Sequence, residues 1–338
     1  MSTRARVLAF IAVVVAIAVA ATVYVVDERR EVRAERASEP EAEQTPIAEV
    51  TDGPRIVFRH TGIDKQYGNV AVVPLDDPGG PRAFTSVSCD RVAARPEGAS
   101  CLINHPGVAA SYEGVALDSD WQQVASNDLP GIPSRTRMSP DGTLVATTVF
   151  VAGHSYMSTG FSTATEVHEF GGSERWSNLE DFQLVIDGRE VNPVDRNVWG
   201  VTFVDDETFY ATAATGGRTW LVEGDLVDRT LTSITSNAEC PALSPDEDRV
   251  AFKVDVQPGR AVVWGLAVLD LATGERTLLE NGPRGVDDQV EWLDEDTLLY
   301  GLPRSDEPGV TDVWSVDATA DAEPQLLVEE AWSPSVVR

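Results

Sequence analysis

Lysine is almost missing from this 338-residue chain, occurring only at Lys65 and Lys253. Arginine supplies the rest of 26 basic residues, which face 55 acidic ones, for a formal net charge of −29. A surface this poor in cations excludes nucleic acid as a partner, because the phosphate backbone is held by Lys and Arg. The acidic excess reads first as solubility, and second as an affinity for cationic ligands or metal ions. The two lysines read as a compositional habit rather than a mechanism. Histidine is scarce as well: His60, His105, His154 and His168 are too scattered for a zinc pattern. No G-x-S-x-G, Walker or dinucleotide glycine pattern occurs, and Thr215-Gly-Gly217 is a turn between strands without the helix that phosphate binding requires. No catalytic set and no resident cofactor are therefore expected.

Long apolar runs are also rare. The exception is Val7 to Val26, twenty residues without a charge and long enough to cross a bilayer as a helix. Ala18-Val-Ala20 has the small residues of a signal-peptide cleavage site, but the apolar run continues six residues further, so an uncleaved anchor is expected. Arg4 and Arg6 precede it, whereas Arg29, Arg30, Arg33 and Arg36 follow it and oppose an N-inside orientation. The very short N-terminal tail favours N-inside. We read residues 1–6 as a cytoplasmic tail, 7–26 as the anchor and 27–53 as a disordered acidic linker, too poor in large apolar residues to fold.

Beyond residue 53 the chain is organised by one hairpin and its echoes. Arg135 to Phe150 reads as a short alternating strand, the turn Ser139-Pro140-Asp141-Gly142, and a β-branched strand. Ser244-Pro245-Asp246-Glu247 repeats the turn, Asp205-Asp206-Glu207 and Asp294-Glu295-Asp296 keep its layout, and Arg95-Pro96-Glu97-Gly98 and Ser333-Pro334-Ser335 are degenerate copies. Aligned on the turn, positions 96, 140, 205, 245, 294 and 334 are separated by 44, 65, 40, 49 and 40 residues. Such periods, with several strands in each, predict a β-propeller, and the long step predicts an insertion between Gly153 and Asn197. The last fragment, Trp332 to Val337, is an innermost strand without partners. Residues 55–58, 69–74 and 82–87 are strands without an innermost strand before them. Joined, they make one blade shared between the termini, which closes a ring of six and removes open sheet edges.

The turn with its flanking strands resembles the repeat of TolB-type six-bladed propellers. More narrowly, residues 54–338 resemble a group of bacterial TolB-like proteins. The segments that carry the likeness are Cys-Asp-Arg at 89–91, Ser-Arg-Thr-Arg-Met-Ser-Pro-Asp-Gly at 134–142, Val-Ala-Gly-His-Ser-Tyr at 151–156, Asn-Leu-Glu-Asp-Phe at 178–182, Trp-Gly-Val-Thr-Phe at 199–203, Glu-Cys-Pro at 239–241 and Asp-Asp-Gln-Val-Glu-Trp at 287–292. The chain departs from TolB in lacking a separate N-terminal α/β domain and in carrying a membrane segment, which leaves a role in the Tol system unsupported. The resemblance to exported propellers places the propeller outside the cytoplasm. Three cysteines fit that compartment, with one disulfide and one thiol to spare. Cys89 and Cys101 are the expected pair by proximity, although folding about Pro96-Glu97 sets Cys101 near Ala93; Cys240 begins a blade three steps round the ring.

Residues just before the innermost strands point toward the propeller axis, where the loops of all blades converge. That predicts a ligand site at the channel mouth from Asp90, Arg91, Arg135, Asn197, Trp199, Glu239, Asp287, Asp288 and Gln289, with His154 at the end of a neighbouring strand. Trp264, Trp292 and Trp314 read as anchors between blades, and Trp199 and Trp332 as the aromatics nearest the channel. Arg91 and Arg135 occupy matching positions in successive blades, either for a ligand or to lock blades together. Most acidic clusters are hairpin turns; Glu180-Asp181 and Asp287-Asp288 are not. The expected function is a membrane-anchored, extracytoplasmic, non-catalytic module that binds, senses or scaffolds a protein, peptide or envelope polymer. The alternative is a calcium-dependent propeller hydrolase of the lactonase type, with Glu239, Asn197 and Asp288 as metal ligands.

Overall fold

The computed structural model describes residues 3–38, 42–107, 109–151, 162–172 and 175–338. They fall into two units, Met1–Ala42 with Ile63–Tyr67, and Glu43–Gly62 with Gly68–Arg338. The first holds one helix, Thr3–Ser38. Within it, Phe10–Glu28 has a mean hydropathy of 2.5 and is long and apolar enough to span a membrane. The helix continues past the apolar run through a stretch of Ala, Glu and Arg, all strong helix formers.

The second unit is a six-bladed propeller. Blade 1 spans residues 91–128, blade 2 residues 132–178, blade 3 residues 197–236, blade 4 residues 239–278 and blade 5 residues 291–328, each starting with its innermost strand. Blade 6 is the expected composite: Ala331–Val337 pairs antiparallel with Arg55–His60, which is followed outward by Asn69–Pro74 and Ala83–Ser88. The insertion appears as a hairpin, Gln183–Ile186 with Arg189–Val191, docked parallel on the outer strand of blade 3 to give six strands. The end of the acidic stretch belongs to this unit too. Arg82 exchanges backbone hydrogen bonds with Glu43 and Thr45, and Val50 is buried, because Ile47 and Val50 give those residues something apolar to pack.

The core consists of layers between blades. Valines of blade 6 (Val57, Val70, Val72) meet Val92, Ala94 and Val115 of blade 1; likewise Leu266 and Val268 of blade 4 meet Trp292, Leu298 and Tyr300 of blade 5. Trp292 is buried and donates its indole N–H to Ala242 O at 2.9 Å, as an anchor between blades must if its polar atom is not to be orphaned.

The hairpin turns explain their own sequence. Ser139 is fully buried; its hydroxyl donates to Asp141 Oδ1 at 2.6 Å and accepts from Leu144 N at 2.8 Å. Ser244 does the same with Asp246 and Arg249 N. The fourth turn residue has positive φ, +75° at Gly142 and 63° at Glu247.

The cysteine pair is Cys89–Cys101, with Cα atoms 5.4 Å apart, and Cys240 is free and buried. The hairpin register sets Val92, next to Ala93, opposite Cys101, as expected. Cys89 reaches its partner because it precedes the strand, held by Cys89 N to Gly68 O and Asp90 N to Leu102 O.

Candidate functional site at the channel mouth

Innermost strands carry bulges near the mouth, between Pro133 and Arg135, Trp199 and Thr202, Glu239 and Ala242, and Trp332 and Ser335. A bulge puts two residues opposite one and turns the next side chain away from simple alternation. Cys240 (φ 51°) and Ser333 (φ 54°) lie in two of them. In this way the fold aims long polar side chains into the axis.

The result is a dense electrostatic plug. From blade 2, Arg135 donates to Asp287 O across the axis, and Arg137 pairs with the carboxylate of Glu291 on blade 5 while donating to Val290 O at 2.9 Å. Arg137 and Glu291 are both buried, so each charge depends on the other. The thiol of Cys240 lies beside the Arg135 guanidinium. Lys253, 2% exposed, stands 3.7 Å from Glu239 and 3.8 Å from Asp287, with its ammonium over the Trp264 ring. Lys253, one of the chain's two lysines, is therefore a buried charge beside Glu239 and Asp287. Burial pushes Glu239 above the usual carboxylate range, against the pull of Lys253 and Arg135. Asp288 is 2% exposed; its Oδ1 accepts from Gln289 N, and its Oδ2 has no partner among the described residues.

Other predicted residues serve the ring itself. Gln289 donates to Val201 O and Pro241 O, tying blade 5 to blades 3 and 4. Asn197 accepts from Thr163 N at 2.8 Å and joins blade 3 to blade 2. Trp199 is buried. His154 lies outside the described residues. Among the described residues no group of three or more His, Cys, Asp or Glu is placed to hold a metal ion together. Of the candidate ligands, Asn197 is engaged with Thr163 and Glu239 with Lys253.

Asp90 and Arg91 reach open space. They line a cavity of about 250 Å³ at the mouth, shared by blades 5, 6, 1 and 2, with Arg59, Asn104, Ile132 and Trp332. Arg91 donates from Nε to Ser134 O at 2.7 Å and from Nη1 to Asp90 O at 3.2 Å, and its guanidinium lies 5.2 Å over the Trp332 ring. Trp332 in turn sits on Gly301, where a Cβ would run into its benzo ring. Asp90 accepts from Asn104 N at 2.7 Å and faces Arg59 at 3.9 Å. Sequence reasoning missed Arg59, Asn104 and Ile132. Arg59 was within reach, since the shared blade sets it opposite Trp332; Asn104 comes from a second strand, whose end the turn alignment does not locate. At the opposite end of the channel a cavity of about 300 Å³ opens among the turn prolines Pro96, Pro140 and Pro245.

No family model matches the chain, and no curated protein sequence does. Among solved structures it is similar to TolB from Acinetobacter baumannii at 16% identity, covering 84% of this chain and 67% of that one, with a TM-score of 0.58. A chain of a nidogen/laminin complex is similar at 12% identity over 84% of this chain and 98% of that one, with a TM-score of 0.52. In fold, then, the chain is a TolB-like six-bladed propeller. At these identities the likeness is one of architecture, and function has to be argued from the site.

Proposed function

We propose that this protein is a membrane-anchored binding module whose propeller stands outside the cytoplasm and takes a protein, peptide or envelope polymer at the channel mouth. The observation that carries the reading is the mouth cavity, where Arg91, Asp90, Asn104 and Trp332 present charge, amide and aromatic surface together. The apolar helix at Phe10–Glu28 supports anchoring, and the Cys89–Cys101 disulfide supports an oxidising compartment. Two of the axial acids, Glu291 and Glu239, are already paired with Arg137 and Lys253, which favours binding over chemistry. A photo-cross-linker placed at Ile132, exposed at the rim, should capture a partner in cells, whereas one at Glu247, lining the opposite cavity, should not. Equal capture at both positions, or none at Ile132, contradicts the reading.

A further inference from the structure

The hydrogen-bonding capacity of the mouth cavity is lopsided. Arg91 has engaged Nε and Nη1, but its Nη2 has no partner among the described residues. The indole N–H of Trp332 and the exposed side-chain amide of Asn104 also lack partners among them. The acidic and hydroxyl groups of the cavity, by contrast, already have partners. Asp90 takes Asn104 N and faces Arg59, while the hydroxyls of Thr61 and Thr311 bond each other and the carbonyls of Thr311 and Ala331. Burial also holds Arg91 below the ordinary arginine value; Asp288 and Asp287 pull the other way, while Arg135 and Arg59 add to the effect of burial. An arriving anion would favour this desolvated cation. Beside it lies an apolar wall: Ile132, half exposed, and Pro133.

Resting on the binding role proposed above, we propose that this cavity is a carboxylate pocket in which Arg91 receives the carboxylate and Ile132 with Pro133 seats the adjacent aliphatic group. A planar guanidinium edge matches a carboxylate, and Trp332 holds that guanidinium flat from below. At about 250 Å³ the cavity is smaller than sites for drug-sized ligands, so it fits a small organic acid or the last residue of a longer chain.

The test is titration of the full chain in non-ionic detergent, followed by saturation-transfer NMR and calorimetry. The probes are 3-methylbutanoate, N-acetyl-L-valine, N-acetyl-L-valinamide and inorganic phosphate. The acids should bind at least about ten-fold more tightly than the amide or phosphate, and lose about ten-fold or more in Arg91→Gln. Because Arg91 also ties blade 1 to blade 2, Ile132→Asp serves as the second variant: it sets a like charge on the wall at an exposed position and should cause the same loss. Binding of N-acetylvaline alone points to a peptide terminus, and equal binding of 3-methylbutanoate to a free acid. The proposal is overturned if the acids fail to bind, if amide or phosphate binds as well as acid, or if Ile132→Asp changes nothing. The cross-linking result at Ile132 judges the parent reading separately.

Discussion

At the scale of single residues, backbone conformation yields the sharpest expectations. Gly200 has φ +66°, and a Cβ there would lie 2.7 Å from Cys240 Cα, backbone that cannot move aside. Gly200→Ala should therefore cost about 2–4 kcal/mol, combining a left-handed alanine with overpacking, measurable by chemical denaturation. The converse holds at Glu247, whose position in the turn Gly142 fills with glycine: Glu247→Gly should stabilise by roughly 0.5–1 kcal/mol, and a loss of stability would show that the side chain matters there. Glu180 was legible only as an acid outside the hairpin turns. It is in fact enclosed, accepting from Thr163 Oγ1, Thr165 N and Val198 N, and burial pushes its pKa from 4.5 to about 7 against those bonds. Its folded pKa lies above its unfolded one, so its contribution is fully present below pH 4.5 and is lost as pH rises through 7. Stability should fall by up to about 3 kcal/mol between pH 5 and 8, and Glu180→Ala should flatten that slope.

At the scale of elements, the repeat was readable because turns announce themselves chemically. Ser-Pro-Asp-Gly has a conformation to favour, so the period followed from the turn positions, and the shared sixth blade from the unpartnered strands at the two ends of the domain. Which side chains meet at the axis was less readable. Period-two alternation fails at each bulge, and Arg137–Glu291 joins residues 154 apart on opposing blades. Lys253 illustrates the same limit: it sits opposite Glu239 in the ladder, a register that only the bulge at Cys240 sets. The buried pair makes a prediction of its own. Arg137→Met alone should cost about 3–5 kcal/mol by stranding Glu291, and Arg137→Met with Glu291→Leu should recover much of it; additive losses would mean that the pair is not coupled. Deleting residues 331–338 should be worse still. It removes the innermost strand of blade 6, the Ser335–Ala94 bonds to blade 1 and the Arg338 bonds to Trp292 O and Leu293 O. A truncated chain that melts at the full-length temperature would contradict closure by that strand.

At the scale of the whole molecule, scarcity of basic residues and their placement belong together. Arginines such as Arg91, Arg95, Arg276 and Arg338 donate to backbone carbonyls of neighbouring blades, while acids such as Asp205, Asp294 and Asp296 stand exposed at turns and a few, Asp288 and Glu291 among them, are buried near the axis. A propeller stapled from inside by its cations and acidic outside is suited to stand free in solvent, and the mouth, with Arg91 and Trp332, is where its surface changes character. Whether that mouth faces a partner in the envelope depends on which side of the membrane it occupies. Protease added to intact spheroplasts measures this directly, with a cytoplasmic protein as control. The account predicts that residues 43–338 are digested while the control survives; a propeller protected until the membrane is breached would contradict it.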